Sequence, residues 1–350
     1  MSDSASSVNG QTYARSQYTV GILCALPKEL MAVRALFDHK HGSLETALGD
    51  SNQYVLGKMA QHMVVAACLP AGEYGTNSAA AAASNMVHSF SSIRFCLLVG
   101  IGGGAPSEKN DIRLGDVVVS LPAGTSPGVI QYDLGKEKEG NSFELTGTLQ
   151  RPPRVLTTAI STLRSDPDMR SDPLGLYLGE ITTLLPEYGR PGRELDMVCR
   201  QPFVESSPQR DCSARDIPVQ QRVPRATDQP AIHYGLVASG NRVIKDAAYR
   251  DQLVRQHGML CFEMEAAGVV NTFPCLVIRG ICDYCDADKN DTWQKYAAAT
   301  AAAYAKLLLG VVAGTAGSGD TRESPWEGSM RSHRRYEEDD YEPPSKRRKT

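Results

Sequence analysis

The feature that most constrains the fold of this chain is an alternation of short apolar runs with segments of helical periodicity. Residues 18–25 have the length and composition of a buried strand, and residues 28–37 carry apolar side chains at the spacing of one helix face. Strands that alternate with helices predict an α/β fold in which helices cover both faces of a central sheet. The same patterns predict further strands at residues 63–69, 95–100, 116–120, 234–238, 261–264 and 276–280. They predict a further helix that Thr76 or Asn77 caps and that runs to about His88, and another from Trp293 to Leu309.

Two segments depart from this alternation. Residues from about 186 to 230 are rich in Arg, Pro, Gln, Ser and Asp and have little periodicity, which predicts an irregular insertion that serves as a lid or an interface loop. After residue 314 the chain turns to glycine, serine and charged residues, so we expect residues 315–350 to form a disordered tail. The polar residues 1–17 are expected to be disordered as well. Residues 18–314 are therefore predicted to form one folded domain.

The charge and hydropathy of the chain argue against two classes of partner. The 37 basic and 40 acidic residues give a net charge of −3, which does not favour nucleic-acid binding. No apolar run approaches the roughly 20 residues that a membrane-spanning helix requires, so we expect a cytoplasmic protein without a membrane partner. Two basic clusters in the tail, at residues 334–335 and 346–349, fit either a nuclear import signal or a solubilising charged tail.

The nine cysteines predict neither a disulfide framework nor a metal centre. Five of them lie in or beside apolar runs, where thiols act as small hydrophobic side chains in a reducing compartment. Cys282 and Cys285 have the spacing of a zinc or redox motif, but no second such pair and no histidine pair follows. We therefore expect the protein to use no metal and no cofactor.

Carboxylates that follow predicted strands are the candidate catalytic residues. Glu263 and Glu265 are separated by one residue, so on a strand they project from the same side. Asp283 follows a buried strand just past a glycine, and Glu29 follows the first strand. Catalytic groups of open α/β sheets gather at such strand ends, where carboxylates act as acids, bases or hydroxyl acceptors. On the pattern alone, the same residues also fit a solvated strand end, a helix or turn cap and a first-turn helix residue.

Taken in order, the segments at residues 99–106, 113–120, 237–241, 262–265 and 279–283 resemble those of the nucleoside phosphorylase superfamily. The resemblance is to the branch that contains purine and uridine phosphorylases and methylthioadenosine/S-adenosylhomocysteine nucleosidases. It runs from about residue 18 to 309 outside the 186–230 insertion. Residues 232–304 are closer still to nucleosidase-like domains of fungal proteins, which are often fused to NTPase or ankyrin modules. The resemblance implies a three-layer αβα sandwich around a central twisted mixed β-sheet, and a homo-oligomer.

The resemblance also implies a reaction and a set of site residues. The family cleaves the N-glycosidic bond of nucleosides, so the expected ligand is a small molecule, a purine nucleoside or nucleotide of adenosine type. By position in the family's motifs, Asp283 protonates the purine near N7, Glu265 binds the ribose hydroxyls and Glu29 activates a water molecule. The remaining expected substrate-binding residues are Glu263, Met264, Gly102, Gly103, Ser239 and Asn241. Cys282 and Asn241 stand where the nucleosidases usually carry serine and aspartate, which implies a different base pocket.

The turn after the first strand bears on the choice between hydrolysis and phosphorolysis. Phosphorylases of the family place an arginine near a Gly-Asp-Pro there, whereas this chain has Lys28 and Glu29 and no arginine in that turn. Water is therefore the expected nucleophile. Two alternatives stay open: a phosphorylase with phosphate as co-substrate, and a nucleotide-sensing or effector module with weak or no turnover. Five arginines of the insertion fit either phosphate contacts or a solvated loop, namely Arg200, Arg210, Arg215, Arg222 and Arg225.

Overall fold

The computed structural model describes residues 10–139, 142–192, 195–196 and 225–314. The strands in these ranges are β1 (Val20–Cys24), β2 (His39–Lys40), β3 (Tyr54–Met59), β4 (His62–Cys68), β5 (Phe95–Gly104), β6 (Val117–Ser120), β7 (Val129–Gln131), β8 (Gly135–Lys138), β9 (Ser142–Leu145), β10 (Ile232–Ser239), β11 (Met259–Glu263) and β12 (Cys275–Asp283). The α-helices are α1 (Pro27–Ala35), α2 (Thr76–Ser89), α3 (Arg154–Ser165), α4 (Gly175–Leu184), α5 (Ala247–His257), α6 (Ala266–Val269) and α7 (Gln294–Val311).

Ten of these strands form one mixed sheet in the order β11-β10-β6-β12-β5-β1-β4-β3-β2, with β7 paired to β10. The neighbours β12, β5, β1 and β4 are parallel, so their carboxyl ends lie at the same edge of the sheet. β6 runs antiparallel to β12, and β3 runs antiparallel to β4. β11 also pairs antiparallel with the last residues of β5, through Cys261–Gly104 and Phe262–Gly103. This extra pairing brings the ends of β11, β5 and β12 together.

Helices cover both faces of the sheet. On one face, Val20 and Ile22 of β1 belong to a buried core that also contains residues of α1, α3, α4 and α7. Because successive strand residues point to opposite faces, Gly21 points the other way, and a Cβ there would lie 2.9 Å from Met86 Sδ of α2. Helix α7 lies so close to β12 that a Cβ on Gly280 would come within 1.8 Å of the Ala297 carbonyl oxygen. The observed three-layer αβα sandwich confirms the predicted fold class.

The predicted strands and helices are present, although their bounds shift. β5 continues to Gly104, four residues beyond the prediction, because its end is hydrogen-bonded to both β12 and β11. α2 begins at Thr76, but its N-cap is Gly75, and the backbone N–H of Thr76 donates to Asn241 Oδ1 at 2.9 Å. The prediction that Thr76 or Asn77 caps this helix was therefore wrong. The acceptor comes from a residue 165 positions away, which local sequence patterns do not show.

Several elements were not predicted, and some of them carry recognisable local signals. Helix α5 begins after Asp246, whose side chain accepts hydrogen bonds from the N–H groups of Ala248 and Tyr249, and it ends at Gly258 in the left-handed conformation. These cap residues could have located α5. Helices α3 and α4 and strand β3 were missed as well.

Part of the predicted organisation lies outside the described residues. This applies to the tail at 315–350 with its basic clusters, and to most of the insertion with Arg200, Arg210, Arg215 and Arg222. In contrast to the disorder predicted for residues 1–17, Arg15–Gln17 form a 3-10 helix. Further 3-10 helices span Pro167–Arg170 and Pro186–Tyr188. None of the helices in the described ranges combines the length and hydrophobicity that a bilayer span requires.

Candidate active site

A cavity of about 220 Å³ opens at the edge of the sheet where the parallel strands end. Its walls come from the turn after β1, the end of β5, the loop after β10, the end of β11 and the end of β12. In doubly wound α/β sheets, ligands bind outside the carboxyl ends of the strands, so the position fits a binding site. The candidate residues that line it are Glu29, Gly102, Gly103, Glu263, Met264, Glu265 and Asp283.

Glu29 lies in the first turn of α1 and is almost fully buried. Its Oε2 accepts the backbone N–H groups of Ala25 at 2.7 Å and Leu26 at 2.8 Å, and its Oε1 accepts the N–H of Ile101 at 2.8 Å. Burial raises the pKa of Glu29, while Arg279 and these three backbone bonds act in the opposite direction. The carboxyl group is therefore held in a fixed orientation by β1 and β5 while its proton affinity is increased.

Arg279 lies in the middle of β12, and its guanidinium group contacts two further glutamates, Glu263 and Glu265. It is 1% exposed, and its Nη2 contacts Glu263 Oε2 and lies 3.3 Å from Glu265 Oε2. Glu263 also accepts the N–H groups of Glu265 and Ala266, so it both holds the guanidinium and starts α6. Sequence analysis did not select Arg279, because its carboxylate partners are known only once β11 and β12 are placed together.

The two glutamates at the end of β11 are not equivalent. Glu263 is the last strand residue, whereas Glu265 has helical backbone angles and precedes α6, so the expectation that both project from one strand was wrong. Both side chains reach Arg279 nonetheless. Burial raises the pKa of Glu265 to about 7, with Arg279 opposing the shift and Glu263 adding to it. Its Oε1 accepts the backbone N–H of Gly75 at 3.2 Å, and the residue lines the cavity.

Gly100 of β5 permits Glu29 and Arg279 to approach each other. A Cβ at this position would lie 2.2 Å from Arg279 Nη1 and 2.6 Å from Glu29 Oε1. Both distances are far below van der Waals contact, and both neighbours are buried. Glycine is therefore required here to make room for both side chains. Three carboxylates, those of Glu29, Glu263 and Glu265, face a single guanidinium, so this wall of the cavity carries an excess of negative charge.

Asp283 ends β12 on the other side of the cavity and is 4% exposed. Its Oδ1 accepts the backbone N–H of Cys285 at 2.9 Å, and its Oδ2 accepts from the Cys282 thiol at 3.1 Å. The ammonium group of Lys289 lies 2.9 Å from the same Oδ2. Lys289 lines the cavity too, and sequence analysis missed it because nothing in its neighbourhood marks it as the partner of Asp283.

Two of the expected substrate-binding residues, Ser239 and Asn241, do not line the cavity. Ser239 is fully buried, and its Oγ accepts the N–H of Ala267 at the start of α6. Asn241 binds the first residue of α2, Thr76, through its side chain. Neither is among the lining residues, so the structure places both where they support α2 and α6, and contact with a ligand stays a prediction for them.

The open side of the cavity is lined by exposed side chains. Tyr74 is 63% exposed and Val243 is 50% exposed, and Arg242 lies beside Val243 at the same rim. Arg225, which alone of the five arginines named above lies in the described ranges, makes a bidentate ion pair with Asp116 at 2.7 and 2.8 Å. Its guanidinium is therefore engaged at the start of β6, away from the cavity.

The site shows no arrangement typical of a metal centre. Among the described residues, no group of three His, Cys, Asp or Glu side chains is positioned to hold a metal ion. Cys282 and Cys285 both line the cavity as free thiols, and burial raises the pKa of each well above its usual value. Neutral thiols are poor metal ligands and poor nucleophiles, so the chemistry of this cavity belongs to its carboxylates and cations.

Comparison with known proteins relates this chain to enzymes that act on nucleosides. A nucleotide-binding leucine-rich repeat (NLR)-like protein of Hyaloscypha variabilis is 46% identical over 88% of this chain and 30% of its own length. The 5′-methylthioadenosine/S-adenosylhomocysteine nucleosidase of Mycobacterium bovis is 25% identical over 83% of this chain and 95% of its own length. The ATP nucleosidase Cap17 of Escherichia coli is 25% identical over 81% of this chain and 49% of its own length. The chain thus spans less than a third of the Hyaloscypha protein and about half of Cap17.

The fold has known structural relatives as well. The 5′-methylthioadenosine/S-adenosylhomocysteine nucleosidase of S. pneumoniae superimposes with a TM-score of 0.54 at 16% identity, covering 84% of this chain and 100% of that chain. A family model described as the phosphorylase superfamily matches residues 19–314. That match extends over most of the sequence and includes every wall of the cavity, and on this evidence the chain belongs to the phosphorylase superfamily.

Proposed function

We propose that this protein hydrolyses the N-glycosidic bond of a purine nucleoside or nucleotide of adenosine type and releases the free base. The observation that carries the proposal is the convergence of Glu29, Glu265 and Asp283 on one cavity, where each lies at or just beyond the end of a different strand. The nucleosidase relatives support the same reaction class, since two of them are named for the hydrolysis of adenine-containing compounds.

The negative wall of the cavity suits the charge that such a reaction develops. Breaking the bond between the sugar and the base gives the sugar a cationic, oxocarbenium-like character, as in other glycoside cleavages. Glu29, Glu263 and Glu265 face this region, and all three interact with the Arg279 guanidinium. Preorganised charges that match the transition state lower its free energy without a cost of reorganisation during the reaction. In this mechanism Glu265 accepts the ribose hydroxyls, and Arg279 keeps it and Glu263 in place.

Glu29 is the group that we assign to the nucleophile. Its three backbone hydrogen bonds fix its orientation, and burial raises its pKa, so it can take a proton from water as the glycosidic bond breaks. Asp283 faces the base and passes it a proton. Gly102 and Gly103 present backbone without side chains between these carboxylates and leave room for the substrate.

The same features disfavour phosphate as the nucleophile. A phosphate dianion next to Glu29 and Glu265 would be repelled, because like charges in a buried site destabilise each other. The nearest cation on α1, Lys28, donates to Gln294 Oε1 at the edge of the cavity. A single lysine is a weaker phosphate site than the bidentate arginines that hold such anions elsewhere. We therefore propose water as the nucleophile, with phosphorolysis as the alternative.

The 5′ group of the substrate can be identified by a direct assay. Adenosine, inosine, methylthioadenosine and ATP are each incubated with the protein, with and without phosphate, and base release is followed by chromatography. Release of adenine from at least one adenine compound, at a rate that phosphate does not increase, is the expected result. Binding of these compounds without release of any base would refute the enzymatic proposal and favour a nucleotide-sensing module.

A further inference from the structure

Lys289 has a place in the cavity but no task in the mechanism above. It lies in the loop between β12 and α7, and its side chain is 25% exposed. Its Nζ is 2.9 Å from Oδ2 of Asp283, the carboxyl group assigned to the base. A turn holds the loop in this position, because the backbone N–H of Lys289 donates to the Asp286 carbonyl at 3.3 Å. The Lys289 ammonium group therefore lies on the side of the cavity where Asp283 is proposed to contact the base.

The contacts of Asp283 in the described residues share one property. Its described contacts come from the Cys285 backbone N–H, the Cys282 thiol and the Lys289 ammonium, and each of these is a donor. An ionised carboxylate accepts from such donors at both oxygens, whereas a neutral carboxyl group would need an acceptor for its own O–H. The geometry therefore fits a carboxylate paired with an ammonium group.

We propose that Lys289 is the proton source for the departing base and that it acts through Asp283. This inference rests on the proposed function, since it assigns a donor to the same bond cleavage. As the bond between the sugar carbon and the base nitrogen breaks, its electron pair stays with the base. A proton moves from Nζ to Oδ2 of the Asp283 carboxylate, and the carboxyl group so formed passes that proton to a base nitrogen.

The proton balance of this step closes within the site. The base leaves neutral, Lys289 is left as an amine and Asp283 is again a carboxylate. The attacking water gives one proton to Glu29, and its remaining hydroxyl group bonds to the sugar carbon. Glu29 then loses its extra proton to solvent, and Lys289 regains a proton from solvent. Solvent reaches the partly exposed Lys289 directly. Burial acts to lower the pKa of Lys289, and the Asp283 charge raises it overall, so the ammonium is charged before substrate binds.

A leaving-group experiment separates a proton source from a structural cation. Lys289→Met and Lys289→Arg are compared with the parent on its best purine substrate and on p-nitrophenyl riboside. The p-nitrophenolate ion departs without a proton, so neither variant should slow this substrate much. On the purine substrate, Lys289→Met should lose about 10²–10⁴ in kcat, the usual worth of general acid catalysis. Lys289→Arg should lose a similar factor, because arginine can pair with Asp283 but does not release its proton.

Each contrary result has a definite meaning. If arginine restores purine turnover, Lys289 only positions Asp283, and the proton-source role is overturned. Equal losses on both substrates, or no loss on either, would overturn it as well. If the parent protein releases no base from any N-riboside, the proposed function itself is refuted. If the parent is active and the Lys289→Met variant is unimpaired, only the role of Lys289 is refuted. Lys109→Met, which removes an exposed lysine outside the cavity, serves as the control.

Discussion

Replacing Glu29 with glutamine tests the assignment of the nucleophile's base with little change in shape. The amide oxygen can keep the two hydrogen bonds from Ala25 and Leu26, but the amide nitrogen then faces the N–H of Ile101. One buried donor is left without an acceptor, which costs about 1–3 kcal/mol of unfolding free energy. Removing a buried charge whose pKa is raised offsets part of that cost. Since domains of this kind are stable by about 5–15 kcal/mol, the variant should fold.

The effect on turnover should be much larger than the effect on stability. Loss of the general base lowers kcat by about 10²–10⁴, which corresponds to about 2.7–5.4 kcal/mol of activation free energy. Base release by chromatography gives kcat, calorimetry gives substrate affinity, and a thermal melt monitors the fold. Glu45→Gln, a change of the same kind at an exposed position, should behave like the parent. A folded Glu29→Gln variant with parental kcat would refute the reasoning.

Three further variants test the other walls of the cavity. Asp283→Asn should lower kcat by about 10²–10⁴ on purine substrates while the melting temperature stays close to that of the parent, and near-parental turnover would exclude it from proton transfer. Glu265→Gln should impair ribosides far more than 2′,3′-dideoxy analogues, since each bond to a charged acceptor contributes about 1.5–3 kcal/mol. In the parent, kcat/KM for ribosides should fall as the pH drops through about 7, where Glu265 becomes neutral and accepts more weakly, and the Gln variant should lose that limb. Gly100→Ala should displace Arg279 and Glu29 and abolish turnover, because its Cβ would lie within 2.6 Å of both side chains. An active alanine variant would show that Arg279 and Glu29 can be displaced without loss of function.

Much of this fold could be predicted because its strands are short, continuous apolar runs. β1, β4, β5 and β12 are almost wholly buried, so their composition is distinctive without any knowledge of their partners. β3 was missed because it mixes buried with half-buried residues. Its regular pairing with β4, rather than its own composition, makes it a strand.

The candidate site likewise contains residues that could be predicted from the sequence and residues that could not. Glu29, Glu265 and Asp283 could be selected because each follows a recognisable strand, and the structure brings them to one cavity, although their roles stay predictions. The partners that tune them could not be selected. Arg279 depends on the pairing of β5 with both β11 and β12, and Lys289 depends on the path of a loop. Ser239 and Asn241 carry suitable polar groups, but the structure uses them to bind neighbouring backbone.

The most direct test of the account is the identity of the sugar product. The reaction is run in ¹⁸O-labelled water with a saturating concentration of phosphate, and the sugar is analysed by mass spectrometry. The account predicts free sugar that carries one ¹⁸O atom, in the same amount with and without phosphate. Sugar 1-phosphate as the main product would contradict the assignment of water and Glu29, and it would make Lys28 the first residue to examine as a phosphate ligand.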